Sequence, residues 1–161
     1  MSRTGGPMSK AVLVSDNHGN ASVLSRIAAR HYDAEYYLHC GDSGMPAAAL
    51  KPFASVKGNV DYADLPEQKI LSIDGWKVLM LHGNRYIQGG DLLTLYSYAR
   101  RQEADVVLFG HTHCFTDTEI EGIRFINPGS CAHNRDGSAA SYAIVHFGDE
   151  ITVERQEVSA L

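Results

Sequence analysis

Asp16 and His18 stand one residue apart in Ser15-Asp16-Asn17-His18-Gly19, so one loop can offer a carboxylate oxygen and an imidazole nitrogen to the same cation. Four more segments carry residues of the same kinds: Gly41-Asp42, Gly58-Asn59-Val60-Asp61, His82-Gly83-Asn84 and Gly110-His111-Thr112-His113. A lone Asp-x-His or His-x-His pair means little. Together, Asp16, His18, Asp42, Asn59, His82, His111 and His113 are seven candidate ligands of oxygen and imidazole type. Such a set suits borderline divalent ions, Mn²⁺ by preference, with Ni²⁺, Zn²⁺ or Fe²⁺ as alternatives. No thiolate pair accompanies them, which argues against a structural zinc cage. Seven ligands exceed what one ion needs, so the pattern predicts two divalent ions about 3.5–4 Å apart sharing a carboxylate, expected to be Asp42. With only Asp16 and Asp42 charged, two dications keep an excess of about two positive charges. That favours a phosphate ester, whose nonbridging oxygens can be clamped while a hydroxide bridging the ions attacks in line.

Ligands so far apart in sequence converge only if regular elements bring them together. Apolar runs at 11–14, 36–38, 78–81 and 106–109 precede most of the segments and read as buried strands. In open α/β sheets a site gathers where the carboxyl ends of strands meet. Asn20 is placed to cap a helix on which Val23, Leu24, Ile27, Ala28 and His31 share a face. Residues 45–53 read as a short Ala-rich helix with Pro46 in its first turn, and 53–57 as a short strand. Residues 68–73 and 76–81 alternate about Asp74-Gly75, the strongest hairpin signal in the chain. Asp91 is expected to cap a second long helix with Leu92, Leu95, Tyr96 and Ala99 on one face. Later strands are expected at 116–120 and 123–126 around Glu121-Gly122, at 141–147 and at 151–158. With no repeat and no linker, the economical architecture is one mixed α/β (α+β) domain over 10–161, with two sheets packed face to face. Residues 1–9 read as a disordered extension or a vector remnant.

The chain has 161 residues, enough for one domain, and its 44% apolar content is ordinary. No stretch approaches the roughly 20 apolar residues of a membrane span, and the Gly-rich start lacks the apolar core of a signal peptide, so a cytoplasmic protein without a membrane partner is expected. Net charge is −5 and no basic run exceeds Arg100-Arg101, which argues against duplex nucleic acid as a partner. Cys40, Cys114 and Cys131 are odd in number and unpaired in spacing; they read as packing residues in a reducing compartment. His31, His39 and His146 have nothing around them that demands chemistry. Several tyrosines and a hairpin-rich carboxyl half suggest an apolar face, so a homo-oligomer is expected.

The ordered set Ser-Asp-Asn-His-Gly, Gly-Asp, Gly-Asn-x-Asp, His-Gly, Gly-His-Thr-His and Asn127-Pro128-Gly129-Ser130 resembles the calcineurin-like metallophosphoesterases, in particular the small YfcE-type phosphodiesterases. The resemblance runs from about Lys10 to about Val158. It implies a four-layer αββα sandwich, two mixed β-sheets flanked by helices, with a dinuclear site. It places Asp16, His18, Asp42 and His113 around one metal, and Asp42, Asn59, His82 and His111 around the other. Asn-Pro-Gly-Ser resembles the family's structural turn near the site. Larger relatives carry His at the position of Val60, where it aids the leaving group; small YfcE-type members resemble this chain in lacking it. The implied activity is hydrolysis of a small phosphodiester or related ester. A retromer subunit similar to the family uses the fold chiefly to bind partners, so a scaffold is the alternative. Arg85-Tyr86 is a candidate for substrate contact, and His133, Asn134 and Arg135 form either a phosphate contact or a solvated loop.

Overall fold

The computed structural model describes residues 8–161. Residues 1–7 of the expected extension lie outside the described residues; Ser9, placed in that extension from sequence, instead opens the first strand, where it pairs with Phe147. Strand β1 (Ser9–Val14) leads to helix α1 (Ala21–Arg30), then β2 (Tyr36–His39) and β3 (Ala54–Ser55). The hairpin β4 (Gln68–Ile73) and β5 (Trp76–Leu81) precedes helix α2 (Leu93–Arg101), followed by β6 (Val106–Leu108), β7 (Phe115–Ile120), β8 (Ile123–Pro128), β9 (Ser141–Phe147) and β10 (Ile151–Glu157).

The strands form two five-stranded mixed sheets, ordered β10-β9-β1-β2-β3 and β4-β5-β6-β8-β7. In the first, β1, β2 and β3 run parallel; in the second, β5, β6 and β8 do. Both sheets therefore end several neighbouring strands at a common carboxyl edge. The alternation within β1 explains the layering: Ala11 and Leu13 face the second sheet with Val78, Met80, Val106 and Leu108, while Val12 and Val14 face outward. Because both faces are covered, these strands read as continuous apolar runs rather than alternating ones. Helix α1 covers the outer face of the first sheet through Val23, Leu24 and Ile27, and α2 covers that of the second through Leu95 and Ala99. The order of layers is helix, sheet, sheet, helix, as the resemblance implied.

Asn20 caps α1, its Oδ1 accepting from the Val23 N–H at 3.3 Å. The two hairpin turns hold both central residues at positive φ, Asp74 and Gly75 at 49° and 81°, Glu121 and Gly122 at 47° and 83°, the primed geometry that matches strand twist. Three expectations are corrected. The helix at 45–53 is one 3₁₀ turn, Ala47–Leu50, entered from an extended Pro46; Lys51, lying before Pro52, is held extended and stops it. The strand at 53–57 shrinks to Ala54–Ser55, at the sheet edge with β2 as its sole neighbour. Helix α2 starts two residues beyond Asp91, whose Oδ1 accepts the Leu93 N–H at 2.9 Å while Leu92 takes the cap position. Among the described residues no helix is long and apolar enough to cross a membrane.

Candidate metal centre

The candidate ligands follow the carboxyl ends of β1 (Asp16, His18), β2 (Asp42), β3 (Asn59), β5 (His82) and β6 (His111, His113). Among the described residues eight that are not glycine have positive φ, and five of them are Asp16 (57°), His18 (45°), Asp42 (58°), His111 (69°) and His113 (57°). The other three sit in the two hairpin turns and just past α2. Left-handed backbone at such residues costs about 1–3 kcal/mol each, and its concentration here marks a functional cluster rather than a folding convenience. Two glycines permit the crowding. A Cβ on Gly58 would lie 2.1 Å from Asp42 Oδ1, and one on Gly110 would lie 2.1 Å from Ser15 Oγ.

Asp16 Oδ1 lies 3.2 Å from His113 Nε2, 3.9 Å from His82 Nε2 and 4.0 Å from His18 Nε2. His18 and His113 face each other Nε2 to Nε2 at 3.2 Å. His82 Nε2 stands 3.1 Å from Asp42 Oδ2 and 2.9 Å from Asn59 Oδ1, and His111 Nδ1 lies 3.2 Å from the same Asn59 oxygen. Backbone carbonyls orient two of the rings: His82 Nδ1–H donates to the Cys40 carbonyl at 2.8 Å and His113 Nδ1–H to the His133 carbonyl at 2.9 Å. In the neutral ring each Nε2 is then a lone pair aimed at the cluster. Facing lone pairs and carboxylate oxygens need a proton or a cation between them.

The donor set fits divalent metal. Asp16 Oδ1 is the one buried side-chain nitrogen or oxygen among the described residues without a hydrogen-bond partner, and an unpaired buried carboxylate oxygen is costly unless it meets a cation. Asp16 is the residue common to two compact donor groups, one with His18 and His113, the other with Asp42 and His82. Asp42 belongs to the second of these groups. Asp42 Oδ1 takes the Val60 N–H at 3.0 Å, so only Oδ2 turns to His82. Burial disfavours charge on His82, but the bond to Asp42 and the charges of Asp16 and Asp42 outweigh it and raise its pKa. Burial likewise opposes ionised Asp42, yet His82 and the Val60 N–H bring its pKa down to about 2. Burial and then the charge of His82 lower that of His111. His18 and Asn59 are exposed and His111 is half-buried, so the cluster opens to solvent on one side.

All seven predicted ligands thus meet in one cluster. Of the substrate candidates, Arg135 reaches its rim, its Nη1 donating to the His111 carbonyl at 3.4 Å, and the exposed His133 contributes its backbone to His113. Asn134 is a structural residue instead: buried, it accepts the Ser130 N–H and donates to the Ala139 carbonyl. Arg85 is exposed, 3.7 Å from Glu67. Burial pushes the Cys131 thiol up to about 12 and that of Cys40 well up, as suits neutral packing residues.

Sequence reasoning missed the residues that hold the loops. Asp61 Oδ2 accepts the N–H groups of Asp42 (2.9 Å) and Gly58 (2.8 Å), and Oδ1 accepts that of Gly44 (3.0 Å), tying the Asp42 loop to the Asn59 loop. His39 is fully buried; its Nε2–H donates to Asn17 Oδ1 at 2.8 Å and its Nδ1 accepts the Gly41 N–H at 3.0 Å, joining the loops after β1 and β2. Burial drives its pKa to about 4. The turn at 127–130 braces the floor, Ser130 Oγ donating to the Asp16 carbonyl at 2.7 Å and Asn127 Nδ2 to the Gly110 carbonyl at 3.0 Å.

Comparison with known proteins agrees with this geometry. Residues 9–150 match the model of the calcineurin-like phosphoesterase superfamily domain. The chain is 36% identical over 148 residues to the probable metallophosphoesterase YsnB of Bacillus subtilis, covering 89% of this chain and 88% of that protein. The crystal structure of a predicted phosphoesterase from Streptococcus pneumoniae superposes with a TM-score of 0.88 at 25% identity, over 95% of this chain and 91% of the other. Vacuolar protein sorting 29 from Cryptosporidium parvum shares the fold, with a TM-score of 0.73 at 20% identity, over 92% and 97% of the two chains. This chain belongs to the calcineurin-like phosphoesterase superfamily.

Proposed function

We propose that the chain is a phosphodiesterase that works with two divalent ions, Mn²⁺ by preference, on a small phosphodiester or related ester. The observation that carries the reading is Asp16 Oδ1, buried without a partner and common to two donor groups. Asp16, His18, Asp42 and His113 would hold one ion, and Asp42, Asn59, His82 and His111 the other, with Asp42 shared. When bound, such ions neutralise phosphate charge and make a water a competent nucleophile for in-line attack. The chain's own residues do the rest. The Cys40 and His133 carbonyls fix the ring orientations of His82 and His113. Arg135 and His133 at the rim are placed to meet phosphate oxygens. Val60 is half-exposed beside Asn59 and has no proton to give a leaving group.

The same fold serves other purposes, and fold alone does not assign activity. Strained backbone at five candidate ligands and an orphaned carboxylate oxygen favour the enzyme over a partner-binding scaffold. An acidic chain suits a small substrate rather than duplex nucleic acid, and three free cysteines suit the cytoplasm. Protein loaded with Mn²⁺ should hold two ions per chain by elemental analysis and hydrolyse bis(4-nitrophenyl) phosphate faster than 4-nitrophenyl phosphate. One ion per chain at full activity excludes the two-ion reading. Fully loaded protein that turns over neither ester favours the scaffold.

A further inference from the structure

A cavity of about 190 Å³ shares His82 with the donor cluster. Its other walls include Asn84, Arg85, Tyr86, Glu67 and Tyr98, from the segment after β5, the residue before β4, and α2. We propose that this cavity seats one planar aromatic ring, the leaving group of the ester hydrolysed at the neighbouring centre; the inference rests on the phosphodiesterase reading.

Size, wall and chemistry agree on that occupant. Sites for drug-sized ligands run to about 300–1,000 Å³, so this cavity has room for a single ring rather than a whole ligand. Its wall is aromatic and already ordered: Tyr86 stacks on Tyr98 with centroids 4.5 Å apart and planes 15° apart. Tyr98 is itself held, its hydroxyl donating to Gln68 Oε1 and the Arg101 guanidinium lying 5.9 Å from its ring centre. A prearranged flat wall binds a flat ring with little ordering cost. Arg85 and Glu67, both lining the cavity, form an exposed pair 3.7 Å apart, and the guanidinium has further N–H groups to offer an oxyanion. The reaction needs such a partner. Water oxygen bonds to phosphorus, the bond from phosphorus to the aryl oxygen breaks with its electron pair on that oxygen, and a proton of the water passes to solvent. With Val60 where an acid would stand, the leaving oxygen departs as the anion, which an aryl oxide tolerates and an alkoxide does not.

The test separates ring binding from turnover. In EDTA-treated protein, 4-nitrophenol titrated to 10 mM or so should shift the ring resonances of Tyr86 and its stacked neighbour Tyr98, and Tyr86→Ala should abolish the shift at Tyr98. In Mn²⁺-loaded protein, Tyr86→Ala should raise KM for bis(4-nitrophenyl) phosphate about fivefold or more, the scale of one lost stacking contact. Tyr86→Phe, which keeps the stack, should stay within about twofold. Inhibition by inorganic phosphate, which reports on the metal centre alone, should be unchanged in both variants. Turnover without any ring-induced shift at Tyr86 overturns this proposal and leaves the phosphodiesterase reading standing; ring binding without turnover of any ester overturns that reading and leaves the cavity a ring site. If Tyr86→Ala weakens phosphate inhibition and KM equally, the residue acts through the metal centre, and the proposal is wrong.

Discussion

Replacing His39 with glutamine should remove a large acid-sensitive component of stability while leaving both loops tied. The ring is fully buried, donates to Asn17 and accepts from Gly41, and its folded pKa is about 4 against 6.5 in the unfolded chain. Between those values the unfolded chain binds more protons than the folded one. The contribution of the neutral ring is therefore complete above pH 6.5 and lost as pH falls toward 4. The gap corresponds to about 3 kcal/mol in all, of which about 2 kcal/mol is gone by pH 5. Glutamine offers an amide N–H to Asn17 and a carbonyl to Gly41 but no titration, so its packing penalty of about 1–2 kcal/mol is constant with pH. Urea unfolding of EDTA-treated wild type and His39→Gln at pH 7, 6 and 5 gives the difference directly. Other groups cancel in that difference. His82, with its raised pKa, runs the other way, its contribution present below 6.5 and lost as pH rises past the raised value. Asp42, at about 2, acts only below 3.8. The variant should close on wild type by about 2 kcal/mol between pH 7 and 5; a gap that stays constant within about 0.5 kcal/mol means that His39 is not buried as a neutral ring.

Asp61→Asn leaves one side-chain oxygen for three N–H groups, so it should cost about 1–3 kcal/mol and weaken metal binding about 10- to 100-fold, read by unfolding and metal titration; wild-type affinity would show that the Asp42 and Asn59 loops hold themselves. Gly58→Ala drives a Cβ to 2.1 Å from Asp42 Oδ1 and should lower both activity and metal content, whereas Gly19→Ala, with no atom within 4 Å, should change stability through its backbone alone. Val60→His should flatten the dependence of kcat/KM on leaving-group pKa, since a positioned acid contributes about 10²- to 10⁴-fold for poor leaving groups; equal slopes in both proteins refute a role for Val60 in substrate range. Strand β4 stands at the edge of its sheet and presents an exposed Ile70, so the chain should self-associate; a monomer mass in sedimentation at micromolar concentration refutes this.

The candidate ligands were legible because their types and their places after apolar runs are local facts. Asp16 after 11–14, or His111 and His113 after 106–109, needed only a strand and its carboxyl end. The hairpins at Asp74-Gly75 and Glu121-Gly122 were legible for the same reason, since backbone demands at two adjacent residues fix them. The 3₁₀ turn at 47–50 shows the limit of that reasoning: helix-forming alanines lose to the prolines at 46 and 52 that bound them. What stayed hidden depends on contacts between segments distant in sequence. His39 looks idle until β2 lies parallel to β1 and brings Asn17 to its Nε2. Asp61 reads as part of a motif, and its role appears only when the loop after β3 folds back on Gly44 and Asp42.

The two carboxylates show the same logic. By sequence Asp42 is the expected bridge, and nothing local says what else either carboxylate must satisfy. The fold distinguishes them by what else each carboxylate must satisfy. Asp42 Oδ1 is engaged by the Val60 N–H, a contact made possible by Gly58, whose missing Cβ admits the carboxylate. Asp16 accepts from Ser15 Oγ and from the His111 N–H at 3.3 Å, both on Oδ2, so all its unmet demand falls on Oδ1. That oxygen is walled by the imidazoles of His18, His82 and His113. Two donors spent on one oxygen leave the other open to a cation, and Asp42 keeps its Oδ2 for the same use beside His82.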